Sequence, residues 1–141
     1  MTISAQQSGR VLCGLSVILY VAGFALPDRW IHWSGPPPRH SVKEYYFIPE
    51  MLSRSRGWES LDWAGWLGHV ALIGGFLLFA VGRSRCAVGA AVLALVFGLA
   101  RFATSFTMGF LAGYYLWLGS MIVLGIAAII RARSQHIQSA N

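Results

Sequence analysis

The sequence predicts an all-α integral membrane protein: a four-helix bundle crossing the bilayer four times, with short interfacial helices in its first outer loop. Three observations lead there. Of the 141 residues, 56% are hydrophobic and only 11% are charged, with a mean hydropathy of +0.58, a balance outside the disordered and ordinary soluble classes. Two apolar runs, Trp63 to Gly82 and Ala87 to Phe106, are separated only by Arg83, Ser84, Arg85 and Cys86, so they must fold back antiparallel. Each run, at ~1.5 Å rise per residue, matches the roughly 30 Å hydrocarbon core of a bilayer. Finally, Arg10, Arg83, Arg85, Arg131 and Arg133 stand at the ends of apolar runs, where basic residues mark the cytoplasmic face. The chain therefore reads as one membrane domain, with spans near 11–26, 62–82, 87–106 and 110–130 and an outer loop over 27–61.

The first span follows a short polar segment. Its beginning resembles a signal peptide, but the small-residue cleavage pattern around Ala22 to Ala25 is poor, and the run is expected to be retained. Pro27 and Asp28 close it. Trp30 and Trp33 then suit the headgroup level.

The loop holds every acidic residue, Asp28, Glu44, Glu50, Glu59 and the boundary Asp62, together with Arg29, Arg39, Lys43, Arg54 and Arg56. Gly35 followed by Pro36, Pro37 and Pro38 enforces an extended turn. Ser41 to Glu44 has capping-box spacing ahead of the apolar patch Tyr45 to Ile48, and Pro49 and Gly57 suit the start and stop of a second short helix. Two interfacial helices are expected.

Ser60 is a plausible N-cap for the second span, with Asp62 in its first turn. In the third span Ala87, Ala90, Ala94, Gly98 and Arg101 recur every three or four residues, a stripe that should face the other helices. Thr104 to Met108 reads as a tight outer turn. Gly109 and Gly113 give a GxxxG spacing entering the fourth span, which ends before Arg131, leaving a frayed polar tail from Ser134. The basic residues near span ends place both termini in the cytoplasm of a bacterial inner membrane, although the count of Lys and Arg on the two faces is tied.

A formal charge of +6 raises the question of nucleic acid, but most of the Lys and Arg flank apolar spans; the charge is a topology signal and a lipid-phosphate contact, and no nucleic-acid partner is expected. Cys13 and Cys86 form no CxxC pair and fall at the reduced, cytoplasmic ends of their spans.

Arg101 is the sharpest candidate residue, because an arginine in an apolar span costs ~2.5 kcal/mol or more at mid-bilayer and so needs compensation. It either snorkels to lipid phosphate or faces inward, where Glu59 or Asp62 at the same level could pair with it. His69 lies about two turns inside the second span; it could bond a neighbouring helix, a quinone carbonyl, or a haem or pigment metal. Trp66, Tyr114 and Tyr115 belong to an outer aromatic set with Trp58, Trp63 and Trp117, read either as an interfacial belt or as a stacked site for a lipid or quinone beside His69 and Arg101. The loop residues His32, His40, Glu44, Glu50 and Glu59 match no metal spacing. No metal, cofactor or catalytic residue is expected. No carboxylate lies within a span, and no P-loop, nucleophile elbow or HExxH is present.

The string GYYLWLGS from Gly113 to Ser120, preceded by the basic link and the small-residue third span, resembles small four-span bacterial inner-membrane proteins without an assigned function. That resemblance covers the last two or three spans and implies architecture, not chemistry. The leading expectation is a non-enzymatic accessory or assembly subunit, with membrane lipids, other membrane subunits or a second copy as partners. The alternatives are a lipid- or quinone-binding protein or enzyme acting at the outer leaflet, and haem or pigment binding through His69.

Overall fold

The computed structural model describes residues 5–26, 29–34, 41–46, 62–104, 109–110 and 112–140, with side chains described over 5–26, 64–101 and 112–137. Four helices make up most of it: α1 (Ala5–Ala25), α2 (Asp62–Ala80), α3 (Ser84–Thr104) and α4 (Ala112–Ala140). Helices α1, α3 and α4 are long and apolar enough to cross a membrane, whereas the apolar stretch of α2, Ala64–Ala80, is shorter.

The first loop departs from expectation. Arg29–Ser34 is a strand, β1, and Ser41–Tyr46 is a second, β2, paired antiparallel with Arg29 opposite Tyr46 and Ser34 opposite Ser41. The capping-box reading of Ser41 to Glu44 as a helix start is thus corrected. The physical reason is composition: the two segments are rich in Trp, Tyr, Ile and Val, and the register sets Trp30 opposite Tyr45 and Trp33 opposite Val42, the aromatic and β-branched pairs that favour a pleated ladder. A third strand, β3 (Gly109–Phe110), pairs with Arg29 and Trp30 on the other edge of β1. Gly109 therefore belongs to a sheet and not to a helical GxxxG face. The second expected interfacial helix, from Pro49 to Gly57, lies outside the described residues, as do 105–108 of the expected outer turn.

Between α2 and α3 the chain reverses through a glycine-ended cap. Gly82 has a φ of +83°, its N–H donates to the Phe79 carbonyl (3.1 Å), and the Arg83 N–H donates to the Leu78 carbonyl (2.9 Å). This nested pair closes the last turn of a helix and requires a left-handed residue that only glycine adopts at little cost. Arg131 of α4 completes the cap, its Nη1 donating to the Phe79 carbonyl at 2.6 Å while its guanidinium lies 4.8 Å from the Phe79 ring. The tail is not frayed at Ser134: with no Gly or Pro after Ile130, α4 continues to Ala140, as uninterrupted helix formers allow.

Helix α4 lies between α1 on one side and α3 on the other, and α3 packs on α2. Against α1 the contact is a seam of small residues. Gly9 lies against the Ala127 carbonyl, the Ser16 Oγ donates to the Ser120 carbonyl (2.6 Å), and Gly23 lies against the Gly113 carbonyl. Each partner steps by seven positions, the spacing that keeps one stripe facing a neighbour along two helices, and small residues there let the backbones approach. Against α2 and α3, α4 instead presents Trp117, Leu118, Met121 and Leu124. They enter hollows at Gly68, Gly75 and Gly98. On α3 the inward positions are Ala87, Ala91, Ala94, Gly98 and Arg101, with Ala90 half-buried.

Candidate functional site

At the end of the helices away from the α2–α3 turn, all four helices bring side chains together around His69 and the Trp117 indole, which is fully buried. Helix α2 supplies His69. Its imidazole stacks on Trp117 with ring centroids 4.6 Å apart and 30° between planes. Helix α1 supplies Tyr20 and Phe24, the Tyr20 hydroxyl lying 3.3 Å from the His69 Nδ1 and the Phe24 ring meeting the imidazole edge-on at 5.5 Å. Because Tyr20 and Phe24 are one turn apart, both reach the same imidazole.

Helix α3 brings Arg101, only 3% exposed. Its Cζ stands 5.9 Å from the Trp117 ring, at the outer reach of a cation–π contact. Its side chain crosses α2 at Gly65, where an added Cβ would lie 3.3 Å from the arginine Cδ and 3.4 Å from its Nε. A Cβ at Gly68 would lie 2.9 Å from the Trp117 ring. Two glycines one helical turn apart therefore clear the way for a cation and an indole beside His69. Arg101 thus faces inward, the second of the two readings its position allowed.

Helix α4 adds Tyr114, fully buried, whose hydroxyl donates to the Gly98 carbonyl at 2.7 Å. That bond fastens α4 to α3 one turn from Arg101. Of the residues singled out in the sequence, Arg101, His69 and Tyr114 come together around Trp117. Trp66 and Tyr115 do not; they are 43% and 57% exposed and turn outward. Glu59 and the Asp62 side chain lie outside the described residues.

Sequence reasoning placed Trp117 only within a general aromatic set and passed over Tyr20 and Phe24. The signal that could have found the centre is the pair Gly65 and Gly68 immediately before His69, since glycines flanking a polar residue in an apolar helix imply that something large lies over it.

The chemistry available is that of an imidazole bonded to a half-buried phenol, beside an indole donor and a guanidinium, with the imidazole, indole and guanidinium shielded from solvent. The Trp117 Nε1 is buried without a hydrogen-bond partner. Among the described residues no group of three or more His, Cys, Asp or Glu is placed to hold a metal ion. Asp and Glu are absent from the chain after Asp62, so α3 and α4 contribute no carboxylate to paired acid–base work. Compared with known protein families, curated proteins and solved structures, the chain matches none.

Proposed function

We propose that the chain is a multi-pass protein of a bacterial inner membrane, its helices crossing as a four-helix bundle with both termini cytoplasmic, and that it serves as a non-enzymatic accessory or assembly subunit of a larger membrane complex. The observation that carries this reading is an inside-out distribution of polarity. Ser16, His69, Ser84, Arg101 and Ser120 are buried, while Val11, Ile18, Val70, Leu77, Val81 and Val96 are each more than half exposed. In water such a surface is an aggregation liability; in hydrocarbon it is the solvated face.

The accessory role follows from where the polar groups are spent. Ser16, Tyr20 and Tyr114 each bond a group on another helix, and the Ser120 hydroxyl donates to the Trp117 carbonyl of its own, which makes much of the polar interior a fastening of the fold. What remains for a partner helix is lateral surface. Helix α1 is the least buried of the three long helices, and Val11, Leu15, Ile18 and Val21 run along its outer flank.

Photocrosslinkers placed at Val11, Ile18 and Val21, with Leu77 and Val96 for comparison, test the proposal in intact membranes. Crosslinks to a defined protein from the α1 positions are expected. Adducts to lipid alone from every position would overturn the subunit role. Recovery of the chain without membranes, in the soluble fraction, would overturn the membrane reading itself.

A further inference from the structure

At the opposite, basic end of the helices, the turn between α2 and α3 and the last part of α4 enclose a depression of about 300 Å³, lined by Gly82, Arg83, Ser84, Arg85, Gln135 and His136 among its walls. It is held open by fixed contacts. The left-handed Gly82 sets the turn, the Gln135 Nε2 donates to the Gly82 carbonyl at 3.3 Å, and Arg131 anchors the end of α2 to α4.

Ser84 gives the depression its chemistry. The residue is 1% exposed, and its Oγ is buried with no hydrogen-bond partner, a costly state that calls for a polar partner. Ser84 also opens α3. The Arg83 carbonyl accepts the first helical bond, from the Ala87 N–H, so Arg83 stands at the capping position, where its side chain has no acceptor to offer the first-turn N–H groups. Arg83 and Arg85 are exposed beside it. With no Asp or Glu later than Asp62 in the chain, no acidic side chain of α3 or α4 competes for these donors.

The Ser84 N–H already donates to the Gly82 carbonyl at 3.0 Å; we infer that this depression binds a phosphate group, the Ser84 hydroxyl and the Arg85 and Cys86 N–H groups donating to its oxygens and the Arg83 and Arg85 side chains closing over it. A basic hollow between helices at the cytoplasmic face is suited to the headgroup phosphate of an anionic lipid; free phosphate carries the same chemistry. The lipid source rests on the membrane reading above, while the site does not.

The test uses the full chain in phosphatidylcholine nanodiscs containing a minor fraction of phosphatidylglycerol, with retained anionic lipid counted by native mass spectrometry. A parallel arm measures inorganic phosphate binding in zwitterionic micelles. Wild type should retain phosphatidylglycerol, and the Arg83→Gln/Arg85→Gln double variant should weaken retention about 25-fold, a factor of about five for each arginine. Ser84→Ala should weaken it about threefold without lowering thermal stability, because its hydroxyl has no partner in the fold. Arg10→Gln and Arg133→Gln, on the same face but outside the depression, should leave retention unchanged.

Equal retention by all variants, or equal loss with the two control arginines, overturns the site. Saturable binding of inorganic phosphate that the double variant abolishes supports the site with free phosphate as a source; retention of phosphatidylglycerol alone supports the headgroup. Phosphate binding with the same variant dependence by a chain that does not enter nanodiscs would uphold the site and overturn the membrane reading.

Discussion

Helix α4 is held on its two sides by opposite means. Toward α1 it offers the carbonyls of Gly113, Ser120 and Ala127, which meet the Gly23 backbone, the Ser16 hydroxyl and the Gly9 backbone. Toward α2 and α3 it offers Trp117, Leu118, Met121 and Leu124, and these drop into hollows at glycines of the partner helices. In a water-soluble protein both faces would be won by removing apolar surface from water. Where the surroundings are hydrocarbon, that driving force is absent and close fit must replace it. The seam achieves fit by removing side chains from both partners, the other face by removing them from one.

The contrast ranks the variants that would break each side. Gly23→Leu should cost most, about 3 kcal/mol or more, since a Cβ there already meets the Gly113 carbonyl at 3.0 Å and the Trp117 amide nitrogen at 3.3 Å, and backbone cannot yield. Unfolding in mixed detergents followed by tryptophan fluorescence checks it. Gly14→Leu, where nothing lies within 4 Å of an added Cβ, is the matched control, and an equal effect there would mean the seam is not the cause.

Next comes Gly68→Ala, expected to cost about 2 kcal/mol. The ring it would strike is stacked on His69 and has no room to turn. Gly98→Ala should cost less although its Cβ lies nearer a neighbour, 2.6 Å from the Leu118 Cδ2, because a leucine tip can rotate away. Reversal of that order would show that the Trp117 cluster is more pliant than its stacking implies.

Arg131→Met should cost about 1.5 kcal/mol by leaving the Phe79 carbonyl without its charged donor, and the loss should persist in high salt because the guanidinium is part-buried. Last are the conservative changes. Ser16→Ala keeps the seam's size and loses one hydrogen bond, about 0.6 kcal/mol. Tyr20→Phe removes only the long contact to His69 and should fall within about 0.5 kcal/mol of wild type. Thermal unfolding resolves the pair, and a Ser16→Ala loss as large as that of Gly23→Leu would replace fit by hydrogen bonding as the basis of the seam.

Much of the candidate site was legible in part. An arginine and a histidine in apolar helices are conspicuous because each needs a reason to be there. Their common centre, Trp117, was not conspicuous: a tryptophan near the end of an apolar run is equally at home in an interfacial belt, and only the hollows at Gly65 and Gly68 separate the two roles. The same ambiguity misled the reading of Ser41 to Tyr46. Its Ser-x-x-Glu spacing is a local helix signal, but pairing with Arg29 to Ser34 is a contact between segments, and the ladder outweighs a single cap.

By itself the sequence determined four apolar helical segments, the tight reversal between the middle two, and the concentration of acids in one loop, because hydropathy and chain length act locally and need no knowledge of neighbours. Tertiary structure alone decided which face of each helix meets which. Apart from single polar positions such as Ser16, His69 and Arg101, the helix faces are apolar all round, so polarity says little about which partner each face meets, and the choice falls to side-chain size and backbone approach, which exist only once two helices are brought together.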